Sequence, residues 1–146
     1  MGRVLLAYGT PLTAVTLFKY LGRMLSYSKY NWTAVENNLQ QSRGKWGRLV
    51  NILGREVADR QTTGRFYVAV VQAVLLFGSQ TWAMTPRLEK DLEGFHHREV
   101  RRMLGMGPKS QHYGTWLHPP IGTALATVGL DEIGVYISCF QNKVAQ

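Results

Sequence analysis

Cysteine is nearly absent from this sequence of 146 residues: Cys139 stands alone, which excludes an internal disulfide and points to a reducing compartment. Long apolar runs are missing too. The stretch Val4 to Tyr8 is too short for a signal-peptide core and stops at Gly9. The longest run, Phe66 to Phe77, falls well short of a membrane span and is interrupted by Gln72. An intracellular protein, cytoplasmic or nuclear and without a membrane partner, is the expectation. Without an export signal, the sequon Asn31-Trp32-Thr33 reads as a helix start. No Cys-x-x-Cys or His-x-x-x-His spacing exists, so His96, His97, His112, His118 and Cys139 read as structural or surface residues and not as metal ligands. Gly107-Pro108-Lys109-Ser110 lacks the preceding spacing of a phosphate-binding loop, and no Ser/His/Asp arrangement can be argued from spacing. Acidic residues are scarce as well, nine against seventeen lysines and arginines.

What is present describes a folded, basic domain. With 45% hydrophobic and 18% charged residues, and four Trp, seven Tyr and five Phe, the chain has ample material for one core. The net charge of +8 is uneven. Residues 1–65 carry ten basic and three acidic side chains, residues 85–109 six and four, and residues 110–146 one and two. A basic surface of this kind most often meets a polyanion, and nucleic acid leads that class.

Residues 3–30 read as extended structure. Arg3 to Tyr8 is followed by the turn cluster Gly9-Thr10-Pro11, then by Leu12 to Leu21, rich in β-branched and aromatic residues. A small antiparallel sheet follows, with Tyr20 and Leu21 in its core by composition and Gly22 as a bend or a point of close backbone approach. A helix starts near Asn31, with Thr33 and Glu36 at capping-box spacing and Asn31 as the competing cap. Trp32, Val35, Leu39, Trp46, Leu49, Val50 and Leu53 fall in one stripe about 100° wide, and Gly54 is a plausible stop. A second helix, from about Thr63 to Phe77, is apolar nearly all round, so it should be the central one, surrounded by others, with Gly78 at its C′ position. Thr85-Pro86 announces a third helix, whose apolar stripe is Leu88, Leu92, Phe95 and Met103. Arg87, Lys90, Arg98, Arg101 and Arg102 share an adjoining arc of about 120°, and Gly105 and Gly107-Pro108 end the helix. Glu99 falls inside the apolar stripe, where an intrahelical pair with Arg102 or Arg98 would account for it. A loop to Pro119-Pro120, a short helix through Ala124 and Leu125, and a last helix from near Asp131 complete the chain, whose end carries no cap and looks cut.

Three segments carry a family resemblance. Phe18-Lys19-Tyr20-Leu21-Gly22-Arg23-Met24-Leu25 resembles the F-K-Y-L-G element of non-LTR (LINE-type) retrotransposon reverse transcriptases. Ala69 to Trp82, with Leu75-Leu76-Phe77-Gly78-Ser79-Gln80-Thr81-Trp82, is similar to their V-L-L-Y-G-S-E-T-W thumb element, departing at Phe77 and Gln80. Leu88 to Gly105 is similar to the L-E-x-F-x-x-R-x-x-R-x-x-x-G stretch that follows, and Trp116 to Gln146 to the tail of certain lower-eukaryote elements. The resemblance implies a palm–thumb junction over residues 1–30, a helical thumb-like bundle over 31–105, and a loop with a truncated helical tail over 106–146. In that family the first element grips the primer strand. The catalytic aspartates lie upstream of it, in an Asp-Asp turn, whereas the three aspartates here are Asp59, Asp91 and Asp131. Polymerases need two carboxylates converging on paired Mg²⁺. The chain is therefore expected to be no enzyme by itself and to hold no cofactor, Mg²⁺ belonging to the parent polymerase.

The fold expected is α+β and predominantly α: an N-terminal β-hairpin or meander, a thumb-like three-helix bundle and a short helical tail. The function expected is binding of template–primer duplex without sequence specificity, the missing palm and fingers being a further partner. Contact residues are Lys19, Tyr20, Gly22, Arg43, Lys45, Arg48, Arg87, Arg98, Arg101 and Arg102, since arginine binds phosphate bidentately and stays charged. The alternatives are a solvated basic face and a non-catalytic helical remnant serving as a protein-interaction or structural module.

Overall fold

The computed structural model describes residues 6–26, 30–55, 58–106, 110–112, 115–117 and 120–144. The fold is α+β and mostly helical. Expectations placed on Arg3, Val4 and Leu5, on Gly107 and Pro108, and on His118 lie outside these residues.

Two hairpins come first. Strand β1 (Leu6–Ala7) pairs antiparallel with β2 (Thr10–Pro11), and β3 (Leu17–Tyr20) with β4 (Arg23–Ser26). Each closes through two residues of positive φ, Tyr8-Gly9 at 52° and 80° and Leu21-Gly22 at 47° and 82°. Positive φ at both central positions is the type I′ turn that matches strand twist, and glycine at the second position relieves its steric cost. Gly22 is thus a bend set by its backbone, and a Cβ there would only touch the Phe77 ring at 3.5 Å. The expected sheet core is not formed. Tyr20 and Leu21 are 58% and 79% exposed, because a two-stranded hairpin has one thin layer and nothing among the described residues covers this side of it.

Helix α1 (Tyr30–Arg55) packs on β4 and on the central helical run. Thr33 and Glu36 lie inside it, so they form no capping box. Its buried face holds Val35, Trp46 and Leu53, as the stripe predicts, but also Asn38 and Ser42. The central run is α2 (Arg60–Phe66), a π-helical segment (Tyr67–Gln72) and α3 (Ala73–Leu75). It starts three residues before the predicted Thr63, because the Asp59 carboxylate accepts from the amides of Gln61 and Thr62, each at 3.0 Å, and caps the first turn. Gly78, at φ 79°, follows the run and opens a 3₁₀ turn, Ser79–Thr81. The run is not enclosed on all sides: Phe66 and Phe77 are 43% and 50% exposed, and Ala69 and Ala73 are exposed with them.

Thr85 caps α4 (Pro86–Met103) by accepting from the Leu88 amide at 3.3 Å. Its C-terminus closes with Gly105 at φ 63°, whose amide donates to Arg102 O while that of Met106 donates to Arg101 O. A short hairpin, β5 (Ser110–His112) with β6 (Thr115–Leu117), occupies what reads in sequence as loop. Helix α5 (Ile121–Val128) crosses α2 and α4, and α6 (Ile133–Val144) packs on α4 and the 3₁₀ turn, where the Gln141 side-chain amide donates to Ser79 O and Trp82 O. Ala124, Val128, Ile133 and Ile137 join the same core as Leu75, Leu92 and Phe95.

Candidate nucleic-acid interface

Helices α1 and α4 face each other across a groove of about 800 Å³. Val35 and Leu39 of α1 and Phe95 of α4 form its apolar wall, and these same residues join the two helices to the core. Above that wall the groove is polar. From α1 come Trp32, Glu36, Gln40 and Arg43, at spacings of four, four and three that keep them on one helical face. From α4 come Arg87, Lys90, Asp91, Gly94 and Arg98, at i, i+3, i+4, i+7 and i+11 for the same reason.

Two of the arginines rest on aromatic rings. The guanidinium carbon of Arg87 lies 4.8 Å from the centroid of the Trp32 ring, and that of Arg43 lies 6.0 Å from the Phe95 centroid. Ring contact holds the flat face of a guanidinium and leaves its N–H edge available to an anion. Among the described residues, Arg43, Arg87 and Lys90 form no ion pair. The groove thus gathers four cations, two carboxylates and one amide side chain.

The predicted contact residues separate into four groups. Arg43, Arg87 and Arg98 meet in the groove. Arg102 sits beside Glu99, with Nη1 3.6 Å from Oε2, while Arg98 Nε lies 3.8 Å from Oε1 of the same carboxylate, so the anomalous acid of the α4 stripe is flanked by both expected partners. Arg101 is half-buried. Lys45 and Arg48 are exposed on other faces of α1, about 200° and 140° around the helix from Arg43. Lys19, Tyr20 and Gly22 stay on the β3–β4 hairpin, all exposed and outside the groove lining. Sequence periodicity brings out the arc of α4 but not its pairing with Trp32, Glu36, Gln40 and Arg43, because the 3.6-residue period describes one helix and carries nothing about which helix lies opposite. Trp32 counts there simply as part of an apolar stripe.

A second polar arrangement lies inside the core. His96 is fully buried; its Nε2 donates to Asp131 O at 2.9 Å, which leaves Nδ1 to accept from the Tyr67 hydroxyl, also at 2.9 Å. Burial pushes the imidazole down to about 4, and burial pushes the Tyr67 phenol up. Both groups are thereby neutral near pH 7 and tie the π segment, α4 and the start of α6 together. Next to it, His97 Nε2 and Glu132 Oε2 are 2.6 Å apart.

Among the described residues no group of three or more His, Cys, Asp and Glu side chains converges on one point. Among the described residues no single helix is long and apolar enough to cross a membrane, although α5 and α6 would reach that length together as a pair bent by 60°. No protein family, curated protein or solved structure matches the chain.

Proposed function

We propose that this chain is a thumb-like segment of a LINE-type reverse transcriptase, without the catalytic palm, that holds template–primer nucleic acid through its backbone. The single observation that carries the reading is the meeting of Arg43 with Arg87, Lys90 and Arg98 in one groove. Side chains 44 and more residues apart in sequence converge there, which a merely solvated basic surface does not require. Arginines seated on rings suit phosphate, and phosphate contacts position a protein on nucleic acid without reading its bases. The order and spacing of the three resembling segments support the same reading.

Two Mg²⁺ ions belong, in such a polymerase, to the palm. The residues of this chain do not fit them: Asp59 caps α2, Asp91 lines the groove, and Asp131 precedes α6. No polymerisation step follows from these residues, and the purified chain given primer, template, dNTPs and Mg²⁺ should extend nothing. Extension that survives repurification would contradict the reading. The binding itself is tested by titrating an RNA–DNA hybrid over a range of salt, where a log–log slope of several units is expected and a flat line contradicts it.

A second reading, a protein-interaction module, is favoured by one observation. Leu17, Phe18, Tyr20 and Leu21 of the hairpin, with Phe66, Phe77 and Phe140 of the helices, are large apolar residues left exposed. A protein surface is the usual cover for such groups.

A further inference from the structure

Gly94 lies near the middle of α4, where glycine is among the poorest helix formers. Packing gives no reason for it: a Cβ at Gly94 would meet nothing within 4 Å, whereas a Cβ at Gly64 would collide with the Val128 carbonyl oxygen at 2.2 Å. Gly44 and Gly47 of α1 are similarly open, but only Gly94 of these lines the groove. What glycine leaves at this position is room in the groove floor, between Arg87 and Lys90 on one side and Arg98 on the other.

The chemistry around that room is mixed. Phosphates alone would be served by the four cations, and Glu36 and Asp91 would repel them. Carboxylates and the Gln40 amide instead accept hydrogen bonds from exocyclic amino groups and ribose hydroxyls. Base edges are free to offer those groups when the strand is unpaired. Trp32, half-buried on the groove wall, adds a ring of the type on which unpaired bases stack. An open groove of about 800 Å³ has room for a short flexible segment along its length.

We infer that the α1/α4 groove receives an unpaired nucleic-acid strand, with its phosphates on Arg43, Arg87, Lys90 and Arg98 and its base edges towards Glu36, Gln40 and Asp91, and that Gly94 keeps the floor open for it. The inference rests on the nucleic-acid reading above and extends it from duplex to an unpaired strand. The variant Gly94→Gln separates fold from binding, since glutamine favours a helix over glycine and the added Cβ meets nothing within 4 Å. Unstructured RNA and DNA oligonucleotides of about twelve residues, their duplexes, and polyglutamate of matched charge are titrated by fluorescence anisotropy at one salt concentration. Wild-type protein is expected to bind strand more tightly than polyglutamate. Gly94→Gln should lose about tenfold in strand affinity, lose less on duplex, and melt at the same temperature or higher. A strand effect with either sugar supports the inference, and a larger one with RNA assigns the ribose hydroxyl to the carboxylates. Equal losses on strand and duplex, no loss on either, or polyglutamate binding as tightly as strand overturns it while leaving duplex binding standing. Absence of all nucleic-acid binding overturns the proposed function itself.

Discussion

At Gly64 the backbones of α2 and α5 touch, which is why the Val128 carbonyl leaves no space for a Cβ. Alanine favours a helix by up to about 1 kcal/mol over glycine. Overpacking against a backbone atom costs about 1–3 kcal/mol and wins. Gly64→Ala should therefore lower the unfolding free energy in urea, and an unchanged midpoint would mean that α5 does not seat on α2 as described. The buried His96 sets a pH window instead. Its folded value is about 4 against an ordinary 6.5, so the unfolded chain takes up the proton first. Stability is then full above about pH 6.5 and falls as pH drops towards 4, by up to about 3 kcal/mol, levelling off below that. Removing the imidazole by His96→Gln should make this slope shallower by about one proton, measured as urea midpoints across the window. An identical slope in both proteins would show that His96 titrates normally. In sequence His96 is one of a neighbouring histidine pair, and nothing in its spacing distinguishes the buried ring from the half-exposed His97.

Between α1 and the central run the contact is partly polar. Asn38 Nδ2 donates to Leu75 O at 3.2 Å and Phe77 O at 3.0 Å, closing the end of α3, and Ser42 Oγ donates to Val71 O in the π segment at 3.4 Å. Helix ends and π segments leave carbonyls without their usual partners, and these side chains supply donors to them. Asn38→Ala should cost about 1–3 kcal/mol, since one buried and one partly buried carbonyl lose a donor, and a loss below a few tenths in thermal unfolding would show that water replaces it. The elements that periodicity and caps specify were legible: the stripe of α1, Thr85-Pro86 opening α4, and the glycine after each of α3 and α4. Asn38 and Ser42 carry no comparable signal, because polarity alone does not reveal a buried donor. The π segment inserts no marker into Tyr67–Gln72, whose residues suit an α-helix equally. The exposed side of the central run was concealed by its own composition: an all-round apolar helix implies neighbours on every side, and the described residues supply them on only some. The hairpins fared similarly: Gly9 and Gly22 marked their turns, whereas Thr10-Pro11 reads as turn and pairs as strand, and the exposure did not show.

Across the whole molecule, seventeen basic side chains are distributed so that one concavity collects cations from two helices, while exposed apolar residues lie on the N-terminal hairpins, along the central run, and at Ile52 of α1 and Val135 and Phe140 of α6. The excess of charge was legible from the sequence, and so was its segregation on α4. The groove was not, because it depends on the packing of α1 against α4 through Val35 and Phe95. That packing singles out Arg43, Arg87 and Arg98 from the wider basic surface, with Arg101 half-buried and Arg102 beside Glu99. Neutralisation of nucleic-acid phosphates by this groove is read out by the salt dependence of binding. If each of the three arginines neutralises about one phosphate, changing all three to alanine should flatten the log–log salt slope on RNA–DNA hybrid by roughly three units, with similar losses on unrelated sequences. Far-ultraviolet circular dichroism should be unchanged, since all three side chains are exposed. A triple variant that folds and keeps both the wild-type affinity and the wild-type slope would contradict the account, making the groove a solvated face and leaving the exposed apolar surface as the functional one.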